Sequence, residues 1–314
     1  MQAECRQWCQ REGLDYELNV GPSKITPENR QLIAQLRDLL ASKLSREMLT
    51  QHQAFLTDAT VMRFLIARQL SLDNAADMLI GCLEWRSRRS IDLLRARMFS
   101  HECETGKIFR PGLDRWGRPL MCFNNTCQNT DDSESHMMFL AWNMEECERA
   151  CGSNGASKYC LFVNLEEFSL FNNPPFSETR ETVFMVANAY PERMGTAIVY
   201  KPPWVFKQVW NLVKGLMDPR THSKIVFMVG DTDEGSQNDR ELCRLIGSNW
   251  REMTGVKEGL STTNQELKCQ VAPGYNHSKN WVMTLAAERA YGLPETDLTL
   301  EEAIRLANPP SSWW

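Results

Sequence analysis

The chain has 314 residues, of which 42% are hydrophobic and 24% charged, and its formal net charge is −5. This composition is typical of a globular protein, and the length allows one large domain or two of ordinary size. The acidic balance gives no electrostatic footprint for nucleic acid and argues against a strong general attraction to anionic membranes, so we expect no nucleic-acid partner.

Cysteine usage and apolar runs bear on the compartment. Eleven cysteines, an odd number, are spread along the chain, and residues 1–20 carry charges where a signal peptide has an apolar segment. No run approaches 18 consecutive apolar residues, so we expect no membrane-spanning helix. A cytoplasmic protein with free thiols is the simplest interpretation. The pairs Cys5/Cys9 and Cys147/Cys151 lack histidines at zinc-finger spacing, so we expect no metal.

The first hundred residues are predicted to be helical. Thr26 and Pro27 form a cap followed by proline at the first helical position, and apolar residues continue at helical spacing. Similar patterns predict further helices over residues 46–55, 61–68 and 73–85. We therefore expect a helical N-terminal module over residues 1–100.

Strands alternate with helices in the part of the chain that follows. Residues 109–112 and 113–117 are expected to be turns. The next predicted elements are a strand over 118–123, a helix over 136–151, a strand over 158–163 and a helix over 176–189. Such alternation is typical of an α/β fold with a mainly parallel sheet and crossover helices. We expect this domain to span residues 101–280, followed by a C-terminal helix and tail over 281–314.

The stretch from Tyr190 to Phe227 is the most informative. It is predicted to contain a turn, a buried strand over 196–200, an amphipathic helix over 204–217 and a second buried strand, which is the pattern of a βαβ unit. One apolar arc of the helix comprises Val205, Phe206, Val209, Trp210, Leu212, Val213, Leu216 and Met217.

This helix has two interpretations. It covers one face of a parallel sheet, or it is a lid over an apolar cavity. The tryptophans favour a lid, as does Gly215 near the end of the helix, because glycine weakens a helix by roughly 1 kcal/mol relative to alanine. An apolar lid with a weak end can swing and touch a membrane.

The turn after this helix is rich in groups that bind anions. Asp218 and Pro219 suit the start of a helical turn, which places Thr221 and Lys224 on one face. A hydroxyl beside a cation suits a phosphate. The alternative is an ordinary connection between helix and strand with an exposed lysine.

Catalytic motifs are not evident in the sequence. It contains no Gly-x-Ser-x-Gly and no phosphate-binding glycine-rich loop, and His101-Glu102 lacks the second histidine of a zinc-protease helix. We therefore expect a protein that is not an enzyme and that has no cofactor.

Five motifs, in register over roughly residues 55–280, resemble those of the CRAL-TRIO lipid-binding family, and especially its fungal-type phosphatidylinositol transfer proteins. In chain order they are Arg63-Phe-Leu-Ile-Ala-Arg68, Glu84-Trp-Arg86, Asp114-Arg-Trp-Gly-Arg-Pro119, Tyr190-Pro-Glu-Arg-Met-Gly195 and Asp218-Pro-Arg-Thr-His-Ser-Lys-Ile225. The resemblance implies a helical N-terminal module packed on an α/β lipid-binding domain. It also implies one lipid in an apolar cavity, closed by a mobile gating helix that corresponds to Trp204–Met217.

The resemblance also implies which residues bind the lipid. A phosphoinositide headgroup would be held by Arg68, Glu192, Thr221 and Lys224. Their chemistry fits, because cations and a hydroxyl suit a phosphodiester and a carboxylate accepts hydrogen bonds from inositol hydroxyls. The lid residues expected to meet lipid or membrane are Phe206, Val209, Trp210 and Val213.

The chain also departs from the family pattern. The family often has a second basic residue directly after the motif arginine, and this chain has Gln69 at that position. Relatives that bind choline lipids have tyrosines and small hydroxyl residues at four positions. This chain has Arg110, Met121, Tyr159 and Leu161 there, so choline-lipid binding is not carried over. The strand motif Asp-Leu is replaced by Asn164-Leu165.

The expected function is that of a cytoplasmic, peripherally membrane-associated protein that binds a single phospholipid, most simply phosphatidylinositol. It would transfer or present that lipid between membranes, which it touches transiently. Two alternatives stay open. One is a carrier of another hydrophobic ligand, sterol or tocopherol-like. The other is a lipid-sensing regulatory module that acts through a partner such as a lipid-metabolising enzyme, with Trp313-Trp314 as a candidate contact.

Overall fold

The computed structural model describes residues 2–11, 15–22, 24–154, 156–166, 168, 176–217, 219–256, 271–272, 274–294, 296 and 298–302. Its first part is helical, with α1 (Gln2–Arg11), α2 (Tyr16–Asn19), α3 (Pro27–Lys43), α4 (Arg46–Gln51), α5 (Asp58–Ala67) and α6 (Leu72–Arg88). Thr26 and Thr57 cap α3 and α5, since each hydroxyl accepts from a backbone N–H three residues ahead. Short 3₁₀ turns follow at Ile91–Leu93, Ala96–Phe99 and Glu102–Glu104.

A five-stranded sheet forms the centre of the rest of the chain. The strands are β1 (Ile108–Leu113), β2 (Pro119–Asn124), β3 (Tyr159–Asn164), β4 (Met194–Tyr200) and β5 (Ile225–Met228), and they lie in the order β1-β2-β3-β4-β5. β1 is antiparallel to β2, and the other pairs are parallel. The expected α/β fold with a mainly parallel sheet is therefore confirmed.

Strand β1 corrects one prediction. Residues 109–112 were expected to form a turn, but they lie in an edge strand whose register with β2 shifts between Phe109 and Gly112. Pro111 is tolerated there because an edge strand needs no donor on its outer side, and an irregular register accommodates Pro-Gly. The local sequence is typical of a turn, and only the pairing with β2 makes it a strand.

Three helices connect the parallel strands and lie over one face of the sheet. They are α7 (Ser133–Asn154), α8 (Phe176–Phe184), which continues as a π-helical turn over Met185–Ala189, and α9 (Phe206–Val213), which continues as a 3₁₀ turn over Lys214–Leu216. The one-turn α10 (Pro219–His222) precedes β5. The predicted helix over 204–217 is therefore shorter and tighter at its end, where Gly215 interrupts helical propensity.

The two faces of the sheet follow the alternation of the strands. On the face away from α7–α9, one core contains Leu120, Cys122, Cys160, Phe162, Ile198, Tyr200 and Met228. It is covered by α11 (Gln237–Leu245) and α12 (Trp250–Thr254), which supply Leu242 and Trp250. The intervening residues of β2–β5 face α7–α9 and line a cavity.

The two ends of the chain pack against this body. The segment that contains α2 meets the start of β4, where a Cβ on Gly195 would lie 2.3 Å from the carbonyl oxygen of Asn19. α13 (His277–Ala290) docks through Glu288, which accepts from the Trp142 indole and the Ala96 backbone N–H. The predicted boundary at residue 281 therefore falls inside a helix. Trp313-Trp314 lies outside the described residues.

Candidate ligand cavity

An apolar cavity of about 240 Å³ lies between the sheet and helices α7, α8 and α9. Its lining is mostly aliphatic or aromatic, with Met121, Phe123, Leu140, Met144, Leu161, Val163, Leu165, Phe168, Val183, Val186, Ala187, Met194, Ala197, Val199, Phe206, Val209, Trp210, Met217 and Ile225. The polar lining residues are His136, Glu178, Thr179, Thr182 and Thr221. The volume lies just below the roughly 300–1,000 Å³ of typical ligand sites, and α9 forms one wall of the cavity.

Helix α9 is fixed over the cavity by aromatic contacts. Phe206, Val209 and Trp210 line the cavity, and Val213 is buried. The Trp210 ring lies 5.3 Å from the ring of His222 and 4.9 Å from that of Phe227, measured between centroids. The four lid residues predicted from the sequence therefore all lie on the inner side of α9.

The outer side of α9 is also apolar in part. Leu212 belongs to the predicted apolar arc but is 59% exposed. The arc is wider than the side of α9 that the cavity and the sheet cover. Trp204, just before the helix, is 83% exposed. The cations Lys207 and Lys214 are exposed on the same segment. Two large apolar side chains thus stand in solvent beside lysines.

The turn before β4 holds Glu192 inside a cluster of cations. The Glu192 side chain is only 7% exposed. Its backbone is left-handed, with a φ of 58°, which is uncommon for a residue other than glycine. Its carboxylate lies 3.3 Å from Arg220 Nε, 3.7 Å from Lys224 Nζ and 3.4 Å from Lys158 Nζ. Lys158 also donates to the Glu192 carbonyl oxygen. One carboxylate therefore meets three cations.

Three of the four predicted headgroup residues lie together. Glu192 pairs with Lys224, and Thr221 lines the cavity from α10, the same turn that carries Arg220. Lys224 is buried and not exposed, unlike the lysine of an ordinary surface connection. Arg68 is not part of this cluster of ion pairs. Its guanidinium donates to Ala67 O and to Asn188 Oδ1.

Sequence reasoning missed Lys158 and Arg220 as members of the cluster. Lys158 directly precedes the buried strand β3, and a lysine at the start of an apolar run could have indicated a buried ion pair. Burial lowers the pKa of Lys158 to about 7, although Glu192 opposes that shift. Arg220 lies inside the fifth motif, but only the folded turn brings it close to Glu192.

A buried network from the N-terminal module supports the Glu192 turn. Arg63 of α5 donates to the carbonyl oxygen of Pro191 over 3.2 Å and pairs with Glu148 at 2.9 Å. Arg193 pairs with the same Glu148 carboxylate. Burial alone would raise the pKa of Glu148, but the two arginines outweigh it and lower that pKa. The first motif therefore holds the fourth motif in place.

No group of three or more His, Cys, Asp or Glu side chains that could hold a metal ion occurs among the described residues. Within the same residues, no helix combines the length and hydropathy needed to cross a bilayer.

Comparison with known proteins agrees with the fold. The family model of the CRAL/TRIO domain matches residues 103–246. A CRAL-TRIO domain-containing protein of Schizosaccharomyces pombe is 26% identical over 186 residues, which are 59% of this chain and 18% of that protein. The phosphatidylinositol transfer protein PDR17 of Saccharomyces cerevisiae is 27% identical over 196 residues, 59% of this chain and 54% of PDR17. This chain thus matches well under two thirds of the length of either relative.

A solved structure extends the comparison to most of the chain. The crystal structure of Sfh5 superposes with a TM-score of 0.52 at 13% identity, covering 86% of this chain and 99% of Sfh5. At that identity the likeness concerns the fold alone. Three of the five quoted motifs lie within the matched residues 103–246. The chain therefore contains a CRAL/TRIO domain, as its motifs indicated.

Proposed function

We propose that this protein binds one phospholipid, phosphatidylinositol, under α9 and transfers or presents it between membranes without catalysing a reaction on it. The observation that carries the proposal is the position of Thr221. It lines the apolar cavity and is part of the turn that brings Arg220 to Glu192. A cluster of cations that borders an apolar cavity suits a molecule with both a phosphate and hydrocarbon chains.

The cavity and the cluster divide the work of binding. Burial of acyl chains supplies most of the affinity, at about 0.8 kcal/mol per CH₂. The headgroup cluster supplies selectivity, since Lys224 and Arg220 suit the phosphate and Glu192 can accept from inositol hydroxyls. In the present state Glu192 is paired with those cations, so a phosphate has to compete with this carboxylate. Arg68 contributes from the N-terminal module only if its side chain leaves Asn188.

Membrane contact is assigned to α9. Phe206, Val209, Trp210 and Val213 face inward while the lid is closed, so they would meet lipid first and membrane only when the lid opens. Trp204 and Leu212 already face solvent beside Lys207 and Lys214. Tryptophan and leucine next to lysine suit a bilayer interface. We propose a cytoplasmic protein that associates peripherally through this segment.

The name of PDR17 supports phosphatidylinositol as the cargo. We expect native mass spectrometry of protein purified from a eukaryotic host to find phosphatidylinositol at about one molecule per chain. The Lys224→Met variant should lose that lipid and its transfer between vesicles. Lys201→Met is a matched control, because Lys201 pairs with Glu166 at 2.7 Å outside the cluster. Loss of the lipid in both variants, or in neither, would contradict the headgroup assignment.

A further inference from the structure

The cavity has a second polar region, at the end of the parallel strands opposite to Thr221. Thr221 precedes β5, whereas His136 and Glu178 lie on the first turns of α7 and α8, which follow the carboxyl ends of β2 and β3. Since β2–β5 are parallel, the two regions lie at opposite ends of the strands. The cavity-lining residues Met194 and Val199 are five residues apart on β4, which at about 3.3 Å per residue separates the ends by roughly 16 Å.

His136 offers a neutral donor to this end of the cavity. Its Nδ1 lies 3.3 Å from the side-chain nitrogen of Gln128. With the Gln128 amide in this orientation, its nitrogen donates to Nδ1, which leaves the proton of the neutral ring on Nε2. Burial, with a smaller effect of Lys107, lowers the pKa of His136 to about 4. The ring is therefore neutral at physiological pH.

Glu178 offers an acceptor to the same cavity. The carboxylate is buried and lines the same cavity, and one of its oxygens accepts from the Ser133 hydroxyl. Thr182 lies one helical turn further along α8 and also lines the cavity. The Nζ of Lys107 donates to the Thr130 hydroxyl over 2.7 Å and interacts electrostatically with Glu178. The charge of Glu178 is thus offset by the protein, so this end favours a neutral ligand group.

The two helices that carry these groups are held together. Arg89, the residue directly after α6, bridges them, since its guanidinium pairs with Glu134 on α7 and with Glu181 on α8. Such a bridge keeps the donor and the acceptor in a fixed relation, as a pre-organised binding site requires. Hydrocarbon packed against them would bury polar groups without a gain in hydrogen bonding.

We infer that His136, Glu178 and Thr182 form a second ligand-binding end of the cavity, which takes a neutral hydroxyl carried on an apolar chain. A hydroxyl accepts from His136 Nε2–H and donates to Glu178 at once, whereas an ether can only accept and a hydrocarbon does neither. The inference rests on the proposed use of the cavity for lipids, but it needs neither a phosphate nor the Glu192 cluster.

Calorimetric titration of the full chain with 1-dodecanol and with methyl dodecyl ether tests the inference. The two probes share an apolar chain and differ in the hydroxyl proton. We expect the alcohol to bind at least about tenfold more tightly, as one or two buried hydrogen bonds predict. His136→Phe and Glu178→Met should each reduce this preference to below about threefold, and the isosteric Thr182→Val should reduce it with little risk to folding. Equal affinity of the native chain for both probes would overturn the inference.

A control at the other end separates this inference from the proposed function. Thr221→Val should lower the uptake of phosphatidylinositol and leave the preference for the alcohol unchanged. If no variant at the His136 end changes the preference, the hydroxyl is bound elsewhere and the inference is wrong. If the preference follows the three variants while phosphatidylinositol neither binds nor transfers, the proposed function fails and the second end stands.

Discussion

The indole of Trp210 packs against the imidazole of His222, with ring centroids 5.3 Å apart and ring planes tilted by 32°. One ring belongs to the lid helix α9, and the other belongs to α10, the turn that carries Arg220 and Thr221. Helix α9 is therefore in direct contact with the turn that is proposed to bind the lipid phosphate. A headgroup that moves α10 would alter the contact that holds the lid.

The first prediction concerns this contact. His222→Ala removes one ring that packs against Trp210, and aromatic pairs contribute about 0.5–1.5 kcal/mol. We expect bound phosphatidylinositol to leave the protein roughly 2- to 10-fold faster, as measured by stopped-flow release of a fluorescent lipid into excess vesicles. His101→Ala is the control, because His101 is exposed and pairs with Glu104. An unchanged release rate in His222→Ala would show that the contact does not hold the lid.

The second prediction concerns the outer side of α9. The double change Trp204→Ser and Leu212→Ser removes two exposed apolar side chains and should weaken vesicle binding about tenfold or more. The equilibrium affinity for lipid should stay the same, because neither residue lines the cavity. Vesicle co-sedimentation measures the first quantity. Val282→Ser, at an exposed valine of α13, is the control, and equal losses in both proteins would argue against a specific membrane contact.

The third prediction concerns the pH dependence of stability. Burial lowers the pKa of Lys158 to about 7, whereas an unfolded lysine titrates near 10.4. Between these values the unfolded chain binds the additional proton, so the free energy of unfolding rises with pH across this window. Lys158→Met should reduce the rise, as urea denaturation at pH 6.5, 7.5 and 8.5 would measure. Parallel curves for the two proteins would show that Lys158 keeps an ordinary pKa.

The fourth prediction concerns the support of the Glu192 turn. Arg63→Met leaves Glu148 with only one of its two arginines and removes the donor to Pro191. Loss of one member of a buried ion pair costs about 3–5 kcal/mol, and we expect a loss near the lower limit because Arg193 remains. Arg37→Met, which breaks the more exposed pair with Asp58, should cost less than about 1 kcal/mol. Equal costs would mean that the Arg63 network does not stabilise the turn.

Periodicity and turn chemistry predicted most of the fold. Four of the five strands and the helices between them lie within a few residues of their predicted positions, since buried parallel strands read as short apolar runs. β1 was missed because Phe-Arg-Pro-Gly is typical of a turn, and its pairing with β2 is not visible in the local sequence. Leu212 was assigned to the wrong side because an apolar arc does not reveal how much of it is covered.

The candidate site was predictable only where its residues lie in motifs. Glu192, Thr221 and Lys224 were identified from two motifs, and the fold brings them together. Lys158 and Arg220 join them through contacts between distant or differently oriented segments. His136 and Glu178 carry no pattern at all, because each is an isolated polar residue on an otherwise amphipathic helix. That they share a cavity follows only from the packing of α7 and α8 on the sheet.

The strands follow one another across the sheet in the order of the sequence. With right-handed crossovers, each connection between parallel strands then falls on the same face, and each adds the next wall of the cavity. The last wall, α9, joins the penultimate strand to the edge strand β5, which has a neighbour on one side only. An outward swing of α9 and β5 together would break a single strand pairing, whereas opening at α7 or α8 would split the middle of the sheet. The order of the strands thus makes α9 the helix that can move away from the cavity with the least disruption of the sheet.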